Sequence, residues 1–250
     1  MGAHEIAESM KARMIAGDLK NGDKLPTVRA LKEQLNVSQQ TVASAYNMLA
    51  DQGLVKTDRN SGTTVIAAPP GSAHLGTYKP GDLSVADPWK STLGGDEAET
   101  TVLVQQFPAL DREVDWGIPV GTVVVERTRI RTIDGIPAQH KLTVLPYAVA
   151  ELVPDGFQGI PPMLAPVGAP PGTKPEGVRM ADWLGWDIAH TEVTIGTGSM
   201  SHDACRMLNK PVGTPGTLIT NISKDSSGNV LYVTVSTIPM HHHVTMTIVG

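Results

Sequence analysis

The 250-residue sequence predicts an α+β chain in two parts, a small helical head that ends in a β-hairpin and a larger domain built on an antiparallel sheet. Three observations carry this. Residues 28–49 hold two apolar stripes at helical spacing, followed by two short β-branched runs around polar turn residues. The tetrapeptide Pro119-Val120-Gly121-Thr122 returns as Pro211-Val212-Gly213-Thr214, each copy leading into a β-rich run. Between these regions the chain is dense in Pro and Gly, and residues 67–99 read as a linker between a 1–66 head and a 100–250 domain.

Composition narrows the classes. With 40% apolar residues and no apolar run near the ~20 residues of a membrane span, the chain reads as a soluble protein with no membrane partner. The N-terminus lacks a signal-peptide pattern, so a cytoplasmic location is expected. A single cysteine, Cys205, excludes an internal disulfide and reads as a small packed hydrophobe. The net charge of -5 divides into +1 for residues 1–66 and -6 for the remainder. That asymmetry is too small to argue for nucleic acid, which must be argued from particular residues.

In the head, Ile6, Met10 and Met14 recur every four residues and predict a first helix over 5–16, ended by Gly17. Thr27 caps a second helix over 28–35, with Leu31 and Leu35 on its buried face. Asn36 and Val37 turn the chain, and Ser38 caps a third helix whose inner stripe is Val42, Ala45 and Leu49. Gly53 stops it. The outward residues of this helix are Gln39, Gln40, Thr41, Ser44 and Asn47, short amides and hydroxyls suited to base edges and phosphates. Residues 54–57 and 63–66 then form a hairpin around Asp58, Arg59, Asn60, Ser61 and Gly62. The whole reads as a DNA-binding winged helix-turn-helix.

Leu25-Pro26-Thr27-Val28-Arg29-Ala30-Leu31, Val37-Ser38-Gln39-Gln40-Thr41-Val42 and the run from Ala45 to Val55 resemble the GntR family of bacterial transcription regulators. The resemblance implies that Arg29 and the start of the third helix contact double-stranded operator DNA, with the wing glycine Gly62 against the minor groove. Gln39 and Ala43 stand where that family often has arginines, which implies a different operator sequence.

In the second half, turn glycines Gly135 and Gly228 lie 93 residues apart, close to the 92-residue offset of the tetrapeptide. Each copy is therefore a hairpin, 123–133 with 137–145 and 216–224 with 230–238, in one sheet of approximate two-fold symmetry. A short helix precedes each tetrapeptide, the second capped by Ser201 with Cys205 and Leu208 inward, and Met180, Trp183 and Leu184 predict another within 178–186. Residues 117–122, 129–137 and the second tetrapeptide with its hairpin resemble the UTRA domain of the HutC subfamily. That resemblance implies a chorismate-lyase-like fold that binds a small acidic metabolite or sugar phosphate, forms a homodimer and has no catalytic activity.

Arg127, Arg129 and Arg131 alternate along one strand, so they share a face and repel unless an anion or carboxylates lie between them. Arg129 and Arg131 are the expected effector-binding pair; the alternative is a strand face balanced by Asp or Glu from a neighbour. Lys141 and Tyr232, at matching positions of the two hairpins, depart from the family pattern and are counted with the effector site. They imply an effector other than the usual amino-sugar phosphates, or none. Ser199, Ser201, His202 and Asp203 are sequence neighbours, unlike a hydrolytic triad, and helix capping explains them. On a strand His241 and His243 would share a face, but two ligands make a poor metal site. No catalytic residue, cofactor or metal is therefore expected. The sequence reads as a ligand-responsive repressor acting as a homodimer on a pseudo-palindrome. The alternatives are a constitutive repressor with a degenerate pocket, as in plasmid-transfer control, and a lyase-type enzyme fused to a DNA-binding head.

Overall fold

The structure, a computed structural model, describes residues 1–58, 60–67, 71–78, 90–91, 96–169, 174–175, 178 and 180–248. Helix α1 (Ala3–Ile15) buries Ile6, Ala7, Met10 and Met14, the four-residue stripe with one addition. Helix α2 (Val28–Leu35) starts where the Thr27 hydroxyl accepts the Ala30 N–H at 3.1 Å and ends at Asn36, whose φ of 51° turns the chain left-handed. Helix α3 (Gln39–Asp51) starts the same way, the Ser38 hydroxyl accepting the Thr41 N–H at 3.0 Å. Each cap satisfies a donor that the first helical turn leaves without a partner.

Val42, Ala45, Tyr46 and Leu49 of α3 are buried with Ile6, Met10, Leu31 and Leu54 in one head core. Tyr46 adds something the apolar pattern missed: its hydroxyl donates to the Pro26 carbonyl at 2.7 Å, tying α3 to the approach of α2. Burial pushes that phenol up to about 12, so it stays a donor throughout the neutral range. Strands β1 (Val55–Asp58) and β2 (Gly62–Val65) pair antiparallel, and Lys24 bridges Thr64 on the outer side. Asp58 accepts the Asn60 and Ser61 N–H groups at 2.9 Å, which sets the hairpin tip.

The second domain repeats one unit. Strand β5 (Glu97–Pro108), helix α4 (Asp111–Asp115) and the hairpin β6 (Val123–Ile133) and β7 (Ile136–Pro146) form the first copy. Strand β8 (His190–Ser199), helix α7 (His202–Met207) and the hairpin β9 (Pro215–Lys224) and β10 (Val230–Pro239) form the second. They join edge to edge in a six-stranded antiparallel sheet of order β5-β6-β7-β10-β9-β8. Both hairpins fall where the repeat put them, while β5 and β8, the strands that open each unit, carry no repeated motif and went unread. Gly121 and Gly213 both adopt positive φ (78° and 86°), the conformation that makes the repeated tetrapeptide a turn.

One face of the sheet packs on α4 through Ala109, Ile118, Val124, Val144 and Val233. The other packs Val125 and Leu145 against α5 (Tyr147–Ala150) and α6 (Met180–Trp183), with Leu184 and Trp186. Helix α6 is shorter than expected for 178–186, because Gly185 takes φ 70° and Trp186 turns back under it. Within the stretch expected as a linker, β3 (Gly71–Tyr78) and β4 (Lys90–Ser91) are strands, and β11 (His243–Ile248) pairs with β3 in parallel. β11 reaches β3 from far along the chain, so local composition could not announce that pairing. The expected strand placement of His241 needs correcting: His241 and His242 lie in the turn after β10, their rings stacked at 4.0 Å. Among the described residues no helix is long and apolar enough to cross a membrane, and no cluster of three or more metal-ligating side chains occurs.

Candidate functional site

Two sites were expected, one on the head and one on the sheet. On the head, Arg29, Gln39, Gln40 and Asn47 are exposed, and Thr41 and Ser44 are half-buried. The apolar stripe holds α3 by one side, so its polar side faces outward as a row. Arg29 sits on the second residue of α2, 88% exposed and engaged with Glu33 one turn later at 3.2 Å. An ion pair that exposed is worth little and yields readily to a phosphate. Ser38 is occupied as the cap and also bonds the Thr41 hydroxyl at 2.7 Å, so these two hydroxyls position the helix start before they can contact anything else. Gly62 opens β2 with φ 84° in open space, while Arg59 lies outside the described residues.

The register of the wing brings out cations the sequence reading passed over. Lys56 pairs with Thr64, which bridges Lys24, so the three lie in one cross-strand row. Both lysines are exposed. Because pairing depends on a segment upstream of α2, only the folded hairpin reveals it. The head thus exposes short polar groups on α3 and positive charge on the wing, the residue types of a phosphate-and-base contact surface.

On the sheet, Arg129 pairs with Lys141 and with Thr101, and Arg131 pairs with Glu99 and Gln139. Directly paired residues share a face, so the three expected cations meet there. Glu99, absent from the sequence reading, lies between them: its carboxylate takes Arg129 Nη1 at 2.7 Å and Arg131 Nη2 at 3.0 Å. Burial opposes that charge, but Arg129, Lys141 and Arg131 outweigh it and hold the Glu99 carboxyl below the usual range. Arg127 serves differently, its Nη1 donating to the Met163 and Ala165 carbonyls at 2.9 and 2.8 Å and so anchoring the segment after α5 across the same face.

The charges do not balance. Among the described residues one carboxylate, Glu99, stands against Arg129, Arg131 and Lys141, and Arg129 Nε is buried with no acceptor. Burial, with Arg129 and Arg131 adding to it, pushes Lys141 down to about 8. Such a cluster carries an excess of positive charge over its carboxylate and has a donor ready for an anion. Tyr232 joins less directly: it stacks on Trp186 at 5.2 Å, in the apolar wall on the same face. It lies four residues along β10 from the rung of Lys141, roughly 13 Å at the usual strand rise. The structure therefore brings Arg129, Arg131 and Lys141 together and sets Tyr232 to one side. Elsewhere Arg112 bridges the buried Glu113 and Glu126 at 2.6 and 2.8 Å, and the Ser201 hydroxyl caps α7 by accepting the Ala204 N–H.

The Lys141 shift makes a testable statement. Its folded pKa near 8 lies below the ordinary value of 10.5, so the unfolded chain holds more protons between those limits and stability rises with pH across that window. Urea unfolding of the wild type and of Lys141→Met at pH 7.5 to 10.5 should show the variant with the greater advantage at the low end, vanishing as pH rises. A constant difference across the window would place Lys141 in solvent.

Residues 3–65 match the family described as bacterial regulatory proteins, gntR family. The vitamin B6 salvage pathway transcriptional repressor PtsJ of Salmonella typhimurium is 40% identical over 67 residues, 27% of this chain and 16% of that protein. The chain thus spans only a small part of that relative. The HTH-type transcriptional regulator Rv0792c of Mycobacterium tuberculosis is 27% identical over 241 residues, covering 95% of this chain and 80% of its own length. A crystal structure described as a GntR-family transcriptional regulator superposes over 99% of this chain and 96% of its own, with a TM-score of 0.52 and 16% identity, a likeness of fold. Capped helices, polar outward row and wing thus make up the part of the chain, residues 3–65, that matches the gntR family of bacterial regulatory proteins.

Proposed function

We propose that this chain is a DNA-binding transcriptional regulator, a repressor, whose head reads operator DNA through α3 and the wing. The observation that carries the reading is the exposure of Arg29, Gln39, Gln40 and Asn47 on the helices and of Lys24 and Lys56 at the wing, on residues that match the gntR family. Amides offer paired donors and acceptors to adenine edges, and lysines meet phosphates as point charges. With an operator duplex selected in vitro against the wild type, Gln40→Ala should lose about 1–3 kcal/mol of affinity and relax preference at one base pair. Lys56→Ala should weaken all duplexes alike and flatten the salt dependence. Unchanged affinity in both would remove α3 and the wing from the interface.

The sheet domain is a UTRA-like binding domain with no catalytic role, and its ligand is a small anion held by Arg129, Arg131 and Lys141. The buried, unpaired Arg129 Nε and the excess of cations support this. Binding that differs between two head arrangements lowers operator affinity. Phosphorylated sugars and di- or tricarboxylates should raise the melting temperature of the wild type and leave Arg129→Met unmoved. One observation favours a constitutive repressor instead: Glu99 already occupies the arginine pair. A broad anion screen without any shift would decide for that second reading.

The chain acts as a homodimer through the β8 edge. That edge is ten residues long, pairs with β9 without a bulge, and shows Val193 and Ile195 each about half exposed. The opposite edge, β5, carries Glu97 and Glu99 and a bulge, features that discourage pairing. A two-fold pairing of β8 about Thr194 would set Val193 of each copy against Ile195 of the other, with no like charges opposed. Light scattering should give a dimer for the wild type and a monomer for Ile195→Pro, with head and sheet still folded by circular dichroism. A dimeric Ile195→Pro would place the interface elsewhere.

A further inference from the structure

The two domains touch at a buried lysine. Lys210 follows α7, held there by its own N–H on the Cys205 carbonyl at 2.7 Å and by Asn209 in the left-handed conformation. Its ammonium leaves the sheet domain and enters the head, donating to the Gly53 carbonyl at 2.9 Å and the Ile66 carbonyl at 2.8 Å. Gly53 is the stop of α3 and Ile66 the exit of β2, so one ammonium grips the reading helix and the wing together. The side chain is only 7% exposed. Beside it the second Pro-Val-Gly-Thr turn closes on the same glycine: a Cβ built on Gly53 would lie 2.7 Å from Thr214 Cγ2.

We propose that Lys210 is a positioning residue, the latch that fixes the DNA-reading head on the sheet domain and whose release frees the head to reorient. The inference rests on the regulator reading given above and names the contact through which that regulation passes. A buried ammonium whose partners are two neutral carbonyls keeps much of its desolvation penalty, and burial pushes Lys210 down to about 8. That penalty works against the closed arrangement and is relieved in one where the ammonium regains water, a bias of the kind a switch uses. The latch is also mechanically connected to the cationic face. Helix α7 packs on β7, which carries Lys141 on one side of the sheet and His140, acted on by Asp203 and Arg206, on the other. A ligand that shifts β7 therefore moves the element on which Lys210 is mounted.

The test uses the full chain, hydrogen–deuterium exchange read by mass spectrometry, and the in vitro-selected duplex. Lys210→Met keeps the length of the side chain and removes its charge; exchange in segments 52–57 and 210–214 should quicken at least tenfold while the six-stranded sheet stays protected. Gly53→Ala should loosen the same segments, and adding Thr214→Ser, which deletes Cγ2 but keeps the hydroxyl bonded to the Pro211 carbonyl, should restore at least half of the protection. Strain at the φ of 67° of residue 53 is local and would not respond to residue 214. Wild-type exchange in Lys210→Met, or no rescue by Thr214→Ser, would overturn the latch. Should no duplex be selected, the regulator reading fails while the exchange result still decides whether the latch exists.

Discussion

The ladder between β7 and β10, from Val144 opposite Val233 to His140 opposite Thr237, is the constraint on which the sheet domain depends. Each β-α-β-β unit is a three-stranded sheet too small to enclose a core. Joined at this seam, the two units place Val124, Val144, Val230 and Val233 in one cluster under α4, and Val125 and Leu145 in another under α5 and α6. The seam also sets the register of the cationic face. Because Lys141 lies opposite Arg129 on one side and Ser236 on the other, every polar group of that face takes its place from backbone pairing.

A sheet face that buries charge must be covered without being filled by apolar side chains. Here it is divided: an apolar wall of Trp186, Tyr232 and Leu145 at one end, Ile133, Ile219 and Ile238 at the other, and the arginines between. Arg127 closes the top by holding the carbonyls of the 161–169 segment. The cost of keeping Lys141 and Arg129 partly out of water falls on the sheet, which the two apolar clusters can bear. Glu99 reduces the repulsion without cancelling it.

The head follows a different economy. Its three helices are short, and their stability comes from local caps at Thr27 and Ser38 with one shared core. Contact with the sheet domain is made at Gly53, where absence of a side chain lets the second tetrapeptide approach. On the proposal that Lys210 is a latch, the head keeps its surface while its orientation changes.

What the sequence determined by itself was whatever depends on near neighbours. Caps act over three residues, helical stripes over four, and strand faces over two, so α2, α3, the wing, both hairpins and the shared face of Arg127, Arg129 and Arg131 could be read directly. Tertiary structure decided what depends on pairing at a distance: Glu99 between the arginines, Lys24 beside Lys56, β3 against β11, and the turn that stacks His241 on His242. Lys210 marks the limit most clearly. As a lone lysine after a short helix it has no motif, and its meaning comes from carbonyls at Gly53 and Ile66 that only the folded chain carries to it. A backbone carbonyl is the same group at every residue, so no side-chain pattern can announce which one a buried charge will find.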